Sequence, residues 1–165
     1  MPSVSLPAVK VAHSPESKFR EYLASRPKPQ RFTDQQRDMV RYIFAQHSHF
    51  EAEQLMDDMK RSGLRVSRAT AYRTLGKLVD AGLLRRIDVG ERTFYEHDYG
   101  YPQHEHLYCE NCRKMIEFQS DSLESIVGEV GRQHNFHIHG HSFVIHGLCS
   151  DCNRARMTKR RLDLV

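Results

Sequence analysis

SRATAYRTL, residues 67–75, is the stretch on which the fold turns. Ser67 supplies a helix N-cap. Ala71, Leu75, Leu78 and Val79 then recur at helical spacing, one apolar face on a helix that stops at Gly82. Upstream, residues 52–61 fit another helix with Leu55, Met56 and Met59 inward and Gly63 as the stop. Before that, Thr33 with Gln36 three residues on makes a capping-box pattern ahead of Met39, Val40, Ile43 and Phe44. A shorter helix over 17–24 ends at Pro27 and Pro29. Downstream, LLRRIDV (83–89) and RTFYEH (92–97) read as two strands joined at Gly90-Glu91. Helices followed by a two-stranded ribbon are the plan of a winged helix-turn-helix, whose recognition helix would begin at residue 67.

The charge pattern agrees. A net charge of +4 over 165 residues is too mild to identify a nucleic-acid binder. Between residues 65 and 86, however, Arg65, Arg68, Arg73, Lys77, Arg85 and Arg86 face a single acid, Asp80. Ser67, Arg68, Thr70, Tyr72 and Arg73 crowd the N-terminal half of one helix, the half that enters a major groove. Arginine and hydroxyl groups suit phosphates, and a tyrosine can pack on a thymine methyl. A solvated helix face has the same composition; the flanking helices and hairpin tip the reading toward DNA.

Beyond residue 97 the pattern changes. Residues 98–103 read as a hinge with Gly and Pro punctuation, dividing a domain over 17–97 from a second over 104–155. Residues 1–16 read as a flexible arm and 156–165 as a frayed, solvated basic tail. In the second domain strands are expected near HEHLYC, KMIEF, FHIHGH and FVIHG. A helix between them, capped by Ser120 or Asp121, would turn Leu123, Ile126, Val127 and Val130 inward. The fold class is α+β, the second domain being a small α/β unit.

The start of the chain has neither the basic opening nor the apolar run of a secretory signal, and no stretch is long and apolar enough to span a membrane. The expectation is a cytoplasmic protein with reduced cysteines, which favours metal over disulfide. Cys109 and Cys112 form one C-x-x-C, Cys149 and Cys152 a second, and these are all the cysteines. Two such turns close a tetrahedral sulfur shell around structural Zn(II) and leave no open position. A redox-active pair or disulfides is the competing reading. Eleven histidines in a chain without tryptophan add a second signal, since histidine is the commonest protein metal ligand. His104 and His106 alternate with Glu105, so both imidazoles share one strand face.

These motifs resemble the ferric uptake regulator family. The carriers are FEAEQL (50–55), SRATAYRTL (67–75), AGLLRR (81–86), HEHLYCENC (104–112), MIEF (115–118) and HGLCSDC (146–152), in family order over roughly residues 18–154. The resemblance implies a homodimer, with a tetramer left open, whose second domain serves dimerisation. It implies binding to AT-rich, palindromic double-stranded DNA when a divalent metal is loaded. It places the regulatory metal on His49, Glu96, His104, His106 and Glu117, with Tyr72 and Arg73 at bases and backbone. It implies a further metal site on Glu105, Glu124 and His141, where Gln103 replaces the family's first histidine and His139 is a candidate substitute.

Imidazole and carboxylate ligands without thiolate suit Fe(II) or Mn(II), and Zn(II) can also bind. Iron ranks first. Zinc sensors of the family often bring a cysteine into the regulatory site, and peroxide sensors commonly carry aspartate where this chain has Glu96 and Glu117. Two other classes compete. A zinc-dependent hydrolase would need an open metal position and a general base, yet no H-E-x-x-H occurs. A metal-buffering protein would have no use for residues 67–75 or the wing.

Overall fold

The computed structural model describes residues 11–46 and 48–162, with the side chains of 160–162 outside the description. The described residues form two compact units that divide between Pro102 and Gln103.

The first unit comprises α1 (Pro15–Ser25), α2 (Asp34–Phe44), α3 (Ala52–Arg61), α4 (Arg68–Asp80) and a hairpin of β1 (Leu84–Val89) and β2 (Arg92–His97). Its helices begin where local hydrogen bonds allow. Ser14 caps α1, with Pro15 at the first position. Thr33 and Gln36 close a reciprocal capping box on α2, and the Ser67 hydroxyl accepts the Thr70 N–H on α4. Gly63, Gly82 and Gly90 take positive φ at the helix stops and the hairpin turn. The apolar faces converge on one core built around Phe19, Met39, Ile43, Leu55, Met59, Leu75 and Leu78. A bridge between Phe50 and Tyr95 adds a third extended segment to the hairpin.

The second unit contains β3 (Glu105–Cys109), β4 (Met115–Phe118), α5 (Asp121–Gln133), β5 (Val144–Gly147) and α6 (Ser150–Leu162). The sheet order is β4-β3-β5, with β3 antiparallel to β4 and parallel to β5. Its apolar core is thin: of the large hydrophobics, Tyr108 and Met115 are buried, while Leu107 and Ile145 are exposed.

Four expectations need correction. No strand forms over FHIHGH. Asn135 takes a left-handed φ, Phe136 N–H closes the end of α5 on Gly131 O, and ladder pairing resumes only at Phe143, whose carbonyl accepts the His106 N–H. Ile126 and Val130 are 56% and 47% exposed, so half of the expected apolar stripe of α5 is left uncovered among the described residues, while Leu123 and Val127 are half-buried. The basic segment expected to fray is helical to Leu162, free of Gly and Pro and supported by an Asp151–Arg154 pair at 2.5 Å. Pro15 and Glu16 belong to α1 rather than to an arm, and the arm's residues 1–10 lie outside the described residues. No helix among the described residues is long and apolar enough to cross a membrane.

Because the core of the first unit is built within residues 11–102, Leu75→Ala should cost that unit about 2–5 kcal/mol. Chemical denaturation would measure the loss. The Co(II) absorption of a metal-substituted C-x-x-C site in the second unit should not change.

Candidate metal centres and nucleic-acid interface

The four cysteines converge. Their sulfur atoms all lie within 4.8 Å of one another, and none forms a disulfide. Cys109 ends β3, and the turn through Cys112 closes with Arg113 N–H on Cys109 O at a φ of 64° for Arg113. Cys149 precedes α6, its carbonyl accepting the Asn153 N–H, and Cys152 sits in the first turn. Cys112 Sγ and Cys149 Sγ are 3.7 Å apart. A tetrahedron with Zn–S bonds of about 2.3 Å has edges of roughly 3.8 Å. The donor set fits zinc.

The thiols are unequal. The Cys149 N–H donates to Cys109 Sγ at 3.3 Å and, with the N–H groups of Cys112 and Asn111, lowers Cys109 from 9.0 to about 6. At Cys152 the Asn111 amide, 3.1 Å away, favours the thiolate; Cys149, burial, Cys112 and Cys109 together outweigh it and push the thiol up to about 12. A lowered pKa in the fold contributes stability that is present above pH about 9 and lost as pH falls through about 6.

The proposed regulatory ligands fall into two sets, one in each unit. In the first, the paired Phe50 and Tyr95 backbones set His49 beside Glu96, with His49 Nε2 2.8 Å from Glu96 Oε2. Arg85, opposite Glu96 in the register, places Nη1 3.4 Å from Glu96 Oε1 and Nη2 2.6 Å from Asp98. The basic run of the sequence is thus partly absorbed: Arg85 braces a carboxylate rather than facing outward. In the second unit, His104 and His106 lie ring to ring at 5.0 Å, and His106 pairs in register with Glu117 on β4. Directly opposed residues share a face, so the register puts Glu117 on the face that carries His106.

Glu105 points to the other face, where His141 Nε2 lies 2.6 Å from its Oε1. Its Oε2 is buried and has no hydrogen-bond partner among the described residues. Gln103 does not reproduce the missing histidine; its amide nitrogen donates to the His141 carbonyl at 3.0 Å. Glu124 is exposed in the first turn of α5, and His139 packs edge-on against His137. Glu105 and His141 meet; the rest of that set is not assembled around them.

On α4, Ser67 and Thr70 are occupied in capping each other, and Arg73 Nε donates to Ala69 O. Tyr72 is 43% exposed and donates its hydroxyl to Glu53 Oε1 at 2.9 Å. Arg68 pairs with the same oxygen at 2.6 Å. Sequence reading did not single out Glu53, and it counted Arg85 with the basic run rather than as a partner of Glu96. The period-2 pairing of Arg85 with Glu96 could have exposed one of them; nothing local announces Glu53.

Residues 28–146 match the model of the ferric uptake regulator family. The chain belongs to that family. The ferric uptake regulation protein of Synechococcus elongatus is 33% identical over 128 residues, covering 76% of this chain and 87% of that protein. A peroxide-responsive repressor of Staphylococcus aureus, PerR, is 28% identical over 138 residues, covering 83% and 93%. The Vibrio cholerae ferric uptake regulator crystal structure superposes with a TM-score of 0.63 at 27% identity, over 72% of this chain and 92% of that one. Family members are metal-responsive transcriptional regulators that bind DNA, and not enzymes. The hydrolase and buffering readings fall away.

With Cys109 ionised at pH about 7.5, zinc uptake by the metal-free second unit should release at most three protons per ion. Calorimetry in buffers of different ionisation heat would count them. Below pH about 6 a further proton must be displaced, and zinc affinity should fall.

Proposed function

We propose that this protein is an Fe(II)-responsive repressor of iron-uptake genes, acting as a cytoplasmic homodimer on AT-rich palindromic DNA. The observation that carries the reading is the paired His49 and Glu96 of the first unit together with the clustered His104, His106 and Glu117 of the second. All five are imidazole or carboxylate groups, a set suited to Fe(II), with Mn(II) or Zn(II) as substitutes. The bound ion would supply a divalent charge that draws on ligands from both units. His49 and Glu96, anchored beside the wing by the Phe50–Tyr95 bridge, would transmit that constraint to α4. The cysteine quartet would hold structural Zn(II). The exposed Ile126 and Val130 of α5, with Phe136, Phe143 and Ile145, give the second unit an apolar surface that suits a second copy of this chain.

Linkage requires reciprocity. If metal tightens DNA binding by about 5- to 150-fold, DNA must tighten metal binding equally.

The similarity to a peroxide-responsive repressor supports a second reading, in which the same iron-loaded protein reports peroxide. One experiment separates them: anaerobic DNA binding by zinc-replete protein with Fe(II), Mn(II) or no added metal, repeated after brief peroxide. Iron sensing predicts tight binding with Fe(II) and Mn(II) alike. His106→Ala and His49→Ala should both abolish the response, while Tyr72→Ala and Arg73→Ala should lose DNA and keep metal. Peroxide sensing predicts loss of binding after peroxide with Fe(II) but not with Mn(II). Metal-independent binding would refute both.

A further inference from the structure

An acid stands beside the proposed DNA-reading helix α4. Glu53 stands in the first turn of α3, where the helix N-terminus favours a carboxylate. Its Oε1 takes both the Tyr72 hydroxyl at 2.9 Å and the Arg68 guanidinium at 2.6 Å. The Arg68 guanidinium carbon also lies 5.9 Å from the centre of the Tyr72 ring. One oxygen therefore holds two of the groups that face the nucleic acid, and does so from a neighbouring helix.

We propose that Glu53 is a specificity-determining positioning residue of the DNA interface. The inference rests on the reading of α4 as the recognition helix. Two effects follow from the geometry, and both oppose indiscriminate binding. The hydrogen bond fixes the direction of the Tyr72 ring before DNA arrives, so less side-chain freedom is lost when the ring meets a base. The carboxylate charge engages Arg68 and repels phosphates nearby. A duplex that offers Tyr72 no base contact meets that repulsion uncompensated. A matching duplex regains the loss through the positioned ring, and Arg68 is exchanged from Glu53 to a phosphate only there. Salt-dependent, sequence-independent affinity is thereby suppressed relative to sequence-specific affinity.

Glu53→Gln separates the charge from the acceptor, because the amide oxygen can still accept from Tyr72. The test uses the full chain, zinc-replete and Mn(II)-loaded. It measures binding to a palindromic AT-rich duplex selected by the unaltered protein from a random pool, and to a GC-rich duplex of equal length. Glu53→Gln should tighten binding to the GC-rich duplex by about two- to fivefold. It should also steepen the salt dependence there by about one counterion as Arg68 is freed. Glu53→Ala should narrow the ratio between the two duplexes further, since Tyr72 loses its anchor as well. In a Tyr72→Phe background the step from Gln to Ala should have no effect on the ratio. Thermal melting checks that each variant folds.

An unchanged ratio and salt slope in Glu53→Gln overturns the proposal. So does a uniform loss on both duplexes that tracks a lower melting temperature, which would mark Glu53 as a packing residue. Failure of the unaltered protein to bind any duplex would instead remove the DNA-binding reading, and this inference with it.

Discussion

Four sulfur atoms within 4.8 Å of one another cannot all carry charge unless a cation stands among them. The second unit is organised around that constraint. Its sulfurs come from the end of β3, the turn before β4, the segment after β5 and the first turn of α6. Cross-linking those points joins nearly every element of a unit whose buried hydrophobic content is small. Units of this size commonly need a metal or a partner to hold their fold, and this one has the surface for both. The unequal acidities of Cys109 and Cys152 show how the backbone prepares the centre: amide donors aimed at one sulfur pre-ionise it, while its neighbours keep another protonated.

The first unit is built differently. A contiguous apolar core joins all four helices to the hairpin, so α4 has a rigid platform that owes nothing to metal. A pair of backbone hydrogen bonds between Phe50 and Tyr95 delivers His49 and Glu96 to the same place. Arg85 then neutralises part of the Glu96 charge from the adjacent strand. The carboxylate is held from one side by the guanidinium and meets His49 with its other oxygen.

How much of this was legible depended on the range of the interactions. The capping box at Thr33, the limits of α3 and the turn at Gly90-Glu91 are decided by neighbours a few residues away, and they are where the sequence places them. Family membership was equally plain, because the C-x-x-C pairs and the 67–75 helix are dense, ordered motifs. The misreadings occur where alternation or periodicity is satisfied by something outside the segment. FHIHGH alternates like a strand, but Asn135 and the α5 cap turn its start away from the ladder. The stripe of α5 has helical spacing, yet Ile126 and Val130 stay exposed among the described residues. Arg85 counts as a surface cation until the β1–β2 register shows it facing two carboxylates. Glu53 is invisible until α3 and α4 are packed together.

Strand β3 carries one further implication. It is flanked on both sides, by β4 and β5, and its alternation sends His104 and His106 to one surface and Glu105 to the reverse. An imidazole pair and a carboxylate therefore stand back to back on a single ribbon. Adding or deleting one residue there would exchange them wholesale, giving each face the other's chemistry. Neither face can be retuned by sliding the backbone. Changing the chemistry of one face alone therefore requires swapping side chains in place.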